Sequence, residues 1–215
     1  MKKLAIFDFD GTLFDSICDV VLCYNRTLEM YGFPTLTRDE YIPCLGGNID
    51  EITSLVLGDN ASPENIEKVK ETYLGFYNSS PKNLTVPFPD ASQILYKLQE
   101  KGILLAINSN RLTYSLEELV EKNFKDIDFI GIEGHNDSYP SKPDPYGVNN
   151  LVKKAGVSLD EAVYIGDSIT DILTAKNAGI DCVLVTWGYG LEKDMQNDYP
   201  IKVIDDFFEL IDLFD

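Results

Sequence analysis

Positive charge is scarce in this chain. Eighteen lysines and arginines face 36 aspartates and glutamates over 215 residues, a formal net charge of −18. A protein that neutralises many nucleic-acid phosphates, or docks on an anionic membrane, needs the opposite balance. One small anion in a locally positive pocket stays compatible with it. Long apolar runs are missing too. The N-terminal Met1-Lys2-Lys3-Leu4-Ala5-Ile6-Phe7 reaches an aspartate too soon for a signal peptide, and no run approaches the ~18 apolar residues of a membrane span. Cysteine is sparse: Cys18, Cys23, Cys44 and Cys182 are scattered with no CxxC. Together these features point to a reduced, cytoplasmic setting. The single histidine, His135, falls in the polar stretch Gly134-His-Asn-Asp-Ser, which suggests no catalytic duty and no structural zinc site. Each cysteine reads as a small buried hydrophobe.

What is present is apolar enough to fold. Hydrophobic residues make up 44% and aromatics 11%, which supports one core domain plus a small insertion. Leu4–Phe9, Ile103–Asn108, Ala162–Gly166 and Cys182–Thr186 are nearly continuous apolar runs, the pattern of parallel strands covered on both faces. Helical patterns lie between them. Asp90-Ala-Ser-Gln93 reads as a capping box with a stop at Gly102, Ser115-Leu-Glu-Glu118 as a second start, and Asp171–Ala178 as a helix closed by Gly179. This alternation predicts an α/β fold with a doubly wound, mainly parallel sheet.

From about Ser16 to Pro81 the alternation breaks. Ile17, Val20, Val21, Tyr24, Leu28 and Tyr31 follow helical spacing with Gly32 behind them, and Glu51–Leu57 and Pro63–Tyr77 are helical in pattern. These predict a helical insertion after the first strand. Asp15–Ser16 would lead out and the proline-rich passage from Pro81 to Pro89 would lead back.

Acids collect at strand ends. The first strand runs into Asp8-Phe9-Asp10-Gly11-Thr12, and alternate strand residues share a face, so Asp8 and Asp10 point the same way. Adjacent carboxylates resist joint ionisation, and a hard cation such as Mg²⁺ relieves the repulsion. The bland reading of Asp10-Gly11 is a turn after a strand. A second acidic set, Gly166-Asp167-Ser168-Ile169-Thr170-Asp171, follows another apolar strand. Asp171 alone would pass as a helix N-terminal carboxylate. Three acids at the carboxyl ends of two strands match the place where α/β sheets hold ligands. Ser109-Asn110-Arg111 ends a third strand, and Pro140-Ser-Lys142-Pro-Asp-Pro145 holds a lysine between prolines. A surface lysine in a turn is the plainer reading of that last segment.

These segments, in this order, resemble the haloacid-dehalogenase-like hydrolase superfamily. Asp8-Phe9-Asp10-Gly11-Thr12 is similar to its first motif, Ser109 to its second, Lys142 to its third, and Gly166–Asp171 to its fourth, GDxxxD. Asp15-Ser16, Gly46-Gly47, Lys142-Pro143-Asp144-Pro145 and Thr186-Trp-Gly-Tyr-Gly190 resemble its phosphoglycolate phosphatase-like branch. The resemblance implies a Rossmann-like catalytic core at 1–15 and 82–215 and a helical cap at 16–81. It implies a Mg²⁺-dependent phosphatase that hydrolyses a small phosphorylated metabolite through an aspartyl-phosphate. Asp8 would be the nucleophile, Asp10 the general acid and base, and Ser109 and Lys142 the phosphoryl-binding groups. Asp8, Asp10 (through its carbonyl) and Asp167 would hold the metal, with Asp171 in the metal set or orienting Lys142. Thr12, Ser109, Asn110, Arg111 and Lys142 would contact substrate. Asp10 argues against dehalogenation, because a halide needs no proton. A β-phosphoglucomutase-like mutase and a non-catalytic binding protein on the same scaffold are the alternatives. In the cap, Arg26 and Arg38 would either meet a substrate carboxylate or lie solvated, and Gly46-Gly47-Asn48 would close over the site.

Overall fold

The computed structural model describes residues 1–214. Its main sheet has six parallel strands: β1 (Leu4–Phe7), β4 (Leu104–Leu112), β5 (Phe129–His135), β6 (Ala162–Gly166), β7 (Asp181–Val185) and β8 (Lys202–Ile204), in the order β5-β4-β1-β6-β7-β8. A two-stranded antiparallel ribbon, β2 (Phe14–Asp15) with β3 (Val86–Pro87), stands beside it. Strand β1 is central, with Leu4 opposite both Leu104 and Ala162. Its alternation divides the core. Ala5 and Phe7 join the cluster under α5 (Ala91–Glu100), α6 (Thr113–Asn123) and the C-terminal 3₁₀ turn Phe207–Leu213. Leu4 and Ile6 join the opposite cluster under α7 (Tyr146–Ala155) and α8 (Ile169–Ala178). A parallel strand apolar on both faces needs helices on both faces, and the sequence supplies them. No helix among the described residues is long and apolar enough to cross a membrane.

Between the ribbon strands lie α1 (Ile17–Tyr31), α2 (Arg38–Tyr41), α3 (Ile49–Leu57) and α4 (Pro63–Ser79). They pack around their own cluster of Ile17, Tyr24, Leu28, Tyr41, Val69 and Tyr73. Helix α1 covers the residues expected, and α3 and α4 begin at side-chain caps, Asn48 and Ser62. The two crossings into this helical segment are tied together. Buried Asp19 on α1 accepts from the backbone N–H of Leu84 (2.9 Å) and the hydroxyl of Thr85 (2.8 Å) on the return passage.

Several local expectations are corrected. Asp90 precedes α5 with a left-handed backbone (φ 66°), so its carboxylate does not reach the helix amides and instead accepts from Gln93 Nε2 at 2.8 Å. Helix α6 starts at Thr113, which puts Ser115 inside its first turn. His135 ends a strand rather than sitting in a loop, with Nδ1 against Ser141 Oγ at 2.8 Å. Cys23, Cys44 and Cys182 are buried as expected, but Cys18 is exposed.

The Asp19 tie makes a prediction. Asp19→Ala strands two donors, one of them on a buried threonine, and such a loss costs about 1–3 kcal/mol. Chemical denaturation of the variant should show a drop of that size, with Asp19→Asn losing less.

Candidate active site

The carboxyl ends of β1, β4 and β6 converge on a cavity of about 140 Å³ between the sheet and the helical segment. Asp8 follows β1, Ser109 and Arg111 lie in the last part of β4, and Asp167 follows β6; all four line the cavity together with Asp10 and Lys142. Three strands side by side in one sheet therefore deliver residues more than 150 positions apart to one place.

At its floor is a buried charge cluster. Lys142 Nζ donates to Asp8 Oδ1 (2.7 Å), Asp171 Oδ1 (2.7 Å) and the hydroxyl of Tyr164 (3.2 Å). An ammonium has three protons, and each has a partner here. Tyr164 passes its own proton to the carbonyl of Asn108 at 2.9 Å. The other oxygen of Asp171 accepts from the backbone N–H groups of Asp167 and Ser168 (both 3.1 Å) and from Ser168 Oγ (3.0 Å). Asp171 is thus both the capping carboxylate of α8 and the partner of Lys142. It is fully buried and stands behind the cavity wall.

The electrostatics are unbalanced. Burial, followed by the nearby Asp171, lifts the Asp8 carboxyl to about 7 despite Lys142. Burial, Asp171 and Asp8 raise Asp167 well above the carboxylate range. Burial opposes the charge on Lys142, yet Asp171 and Asp8 hold the ammonium well above its ordinary range. One cation cannot neutralise three buried acids. Oxygen atoms of Asp8, Asp167 and Asp171 lie within 4.8 Å of one another. A hard, all-oxygen donor set that lacks positive charge fits a divalent cation such as Mg²⁺.

Two glycines make room for this. A Cβ at Gly11 (φ +86°) or at Gly188 would run into the Asp167 carboxylate. Asp167 Oδ2 accepts the backbone N–H of Tyr189 at 2.5 Å. The Tyr189 hydroxyl donates to Asp15 (2.8 Å) and accepts from the backbone N–H groups of Ser16 (2.7 Å) and Ile17 (3.1 Å), where α1 begins.

Asp10 sits at the cavity's upper edge. Arg111 grips it through Nε (2.9 Å to Oδ2) and a terminal nitrogen (2.6 Å to Oδ1), and Ser16 Oγ donates to it at 2.5 Å. Arg111 also reaches the Tyr77 hydroxyl of α4 at 2.5 Å.

Some expected substrate contacts have other work. Asn110 uses its amide within the protein: Nδ2 donates to the carbonyls of Gly46 and Lys142 (both 3.1 Å), and Oδ1 accepts from the Lys142 N–H (2.8 Å). It docks the Gly46-Gly47 turn on the site and fixes the lysine segment. Thr12 does not line the cavity; it is fully buried, and its carbonyl accepts from Trp187 Nε1 at 3.1 Å. The reason is the tight turn after Asp10, which buries Thr12. Arg26 stacks on Phe76, and Arg38 is exposed beside Asp39. Neither lines the cavity. Tyr164, Tyr189 and Tyr77 were not foreseen. Tyr164 carried a faint signal, a hydroxyl inside an apolar strand three residues before Asp167.

Comparison with known proteins agrees with this architecture. Residues 5–185 match the family model for haloacid dehalogenase-like hydrolases, and the chain belongs to that family. Along nearly its whole length it is similar to the phosphoglycolate phosphatase of Agrobacterium fabrum, at 31% identity over 98% of this chain and 91% of the relative. The phosphoglycolate phosphatase of Vibrio parahaemolyticus is 28% identical over 98% and 95%. A crystal structure from Lactobacillus delbrueckii subsp. bulgaricus, provisionally named a phosphoglycolate phosphatase, superposes with a TM-score of 0.92 at 27% identity, covering 100% of this chain and 99% of that one.

The charge deficit is measurable. Magnesium at a hundred times its dissociation constant should stabilise the fold by about 2.7 kcal/mol. That is roughly 5–10 °C in melting temperature for a chain of this size. Asp167→Asn should abolish the shift. The raised native pKa means that protonated Asp167 stabilises the fold at low pH, and this is lost as pH climbs through that raised value. Asparagine stays neutral throughout. Without metal at neutral pH, the variant should therefore melt no lower than the wild type.

Proposed function

We propose that this protein is a Mg²⁺-dependent phosphatase that hydrolyses a small phosphomonoester through an aspartyl-phosphate on Asp8. The observation that carries the reading is the buried Asp8–Lys142–Asp171 cluster beside Asp167, at the floor of the cavity. The names of its relatives point the same way.

Each residue has a physical task. Asp8 attacks phosphorus in line; as a carboxylate it needs no base to activate it. The phosphorus–oxygen bond to the leaving group breaks as the new bond forms. Asp10, oriented by Arg111 and Ser16, gives its proton to the departing alkoxide. It then takes a proton from the water that attacks the acyl-phosphate, which frees phosphate and restores Asp8. Lys142 and Ser109 bind the phosphoryl oxygens as negative charge spreads over them. Asp171 holds Lys142 toward Asp8. Asp8, Asp167 and the carbonyl of Asp10 are the groups that would hold Mg²⁺. Its chemistry when bound is to shield Asp8 from a phosphate dianion of about −1.5 to −2 charge.

Incubation with p-nitrophenyl phosphate and Mg²⁺ should release inorganic phosphate. Asp8→Asn should abolish turnover while the circular dichroism spectrum stays that of a folded protein. Asp10→Asn should lower kcat by about 10²–10⁴. Near-normal activity of Asp8→Asn overturns the nucleophile assignment. Interconversion of hexose phosphates without net phosphate release overturns the hydrolase reading in favour of a mutase.

A further inference from the structure

We infer that the leaving group this site accepts is an uncharged alcohol with an aromatic or similarly flat apolar face, and not a short carboxylate. The inference rests on the phosphatase reading and concerns the half of the cavity away from the phosphate.

The helical wall of that cavity is apolar. Val20, Leu45, Ile49, Ile52 and Leu74 line it. Among them runs a ladder of tyrosines: Tyr24 stacks on Tyr73 with ring centroids 3.8 Å apart, and Tyr73 on Tyr77 at 5.6 Å. The hydroxyls of Tyr24 and Tyr77 have partners in Thr53 and Arg111, so Tyr73 is left to bring the one further hydroxyl of a ladder that is otherwise ring surface.

The charges point the same way. Residues 16–81 carry four basic side chains against ten acidic ones. All four basic groups are engaged elsewhere. Arg26 lies over Phe76, Lys68 over Tyr31, Lys70 between Asp50 and Glu67, and Arg38 beside Asp39. Among the described residues the cavity's cations are Lys142, held by two carboxylates, and Arg111, held by Asp10. A substrate carboxylate would have to win Arg111 from Asp10 beside three other acids, and a buried anion without a partner is strongly disfavoured. An aromatic face meets rings and aliphatic side chains and displaces water from them.

Leu45 gives a handle on the same wall. It precedes Gly46, whose carbonyl is bonded to Asn110 beside Ser109, so the Leu45 turn sits directly over the site.

The test compares 2-phenylethyl phosphate, ethyl phosphate and phosphoglycolate with wild-type enzyme and Mg²⁺. All three leave as aliphatic alkoxides, so differences in kcat/KM report how the leaving group is bound rather than how well it departs. We expect 2-phenylethyl phosphate to exceed both others by tenfold or more, within the 10–200-fold that apolar pockets reach for smaller differences. A smaller advantage over either overturns the inference. Leu45→Lys should cut the preference over phosphoglycolate about tenfold. If no phosphate is released from these or from p-nitrophenyl phosphate, the phosphatase reading fails by itself. The leaving-group inference is then decided by calorimetric affinities of 3-phenylpropylphosphonate, propylphosphonate and 3-phosphonopropionate, in which CH2 replaces the ester oxygen, on the same tenfold criterion.

Discussion

Three buried carboxylates around one ammonium are the constraint on which the rest of this structure depends. Asp8, Asp167 and Asp171 are each less than a tenth exposed, and Lys142 is the cation among them. Burial of so many like charges is unfavourable, and the fold answers it group by group. Asp171 is neutralised by Lys142 and by the amide dipoles at the start of α8. Asp8 shares the same lysine. Asp167 keeps one strong amide donor, from Tyr189, and stays short of positive charge. The deficit sits where a divalent cation would balance it, beside Asp8. A site fully neutralised by protein would be more stable and would bind no metal.

The cluster also explains how the helical segment is attached. Its contacts with the sheet run through residues one step removed from the acids. Tyr189 joins Asp167 to the start of α1. Asn110 joins the lysine segment to Gly46. Arg111 joins Asp10 to Tyr77. Movement of the helices relative to the sheet would alter the hydrogen bonds of Asp10 and the surroundings of Asp167 together. Asp8, Asp167 and the apolar residues of the helical segment line one cavity, and three side chains couple its two walls.

Legibility in the sequence followed the strength of the local physics. Central strands β1, β6 and β7 were readable because both their faces are covered, and so was α1, whose apolar stripe ends at Gly32. Edge strands β5 and β8 were not, since half-covered strands lose the continuous apolar signal; β5 carries two glycines and has no fully buried residue. Asp8, Asp10 and Asp167 stood out because they follow apolar strands, whereas Lys142, in the loop before α7, stood out only through the family resemblance. Asn110 and Thr12 share a feature: a polar residue beside a motif looks like a ligand contact, while its partner within the protein is set by a tertiary neighbour, Gly46 or Trp187. Tyr73 and Tyr77 sit one turn apart on α4, but the full tyrosine ladder was invisible because Tyr24 joins them only when α1 packs on α4.

The net charge of −18 takes a different meaning once the charges are placed. An acidic protein repels a phosphate dianion at long range, and neither Lys142 nor Arg111 offsets this, because each is already paired with carboxylates. On the proposed phosphatase reading, attraction for the phosphate would come from a cation held at Asp8 and Asp167, over a distance short enough that screening by salt matters little. Beyond the phosphate no such cation is at hand, and the acidic helical segment adds none. On that reading, selection of the remainder of the substrate would fall to shape and apolar contact. The same scarcity of positive charge that excludes a polyanion at the surface would make a bound cation the chief electrostatic anchor within the site and leave the aromatic wall to do the discriminating.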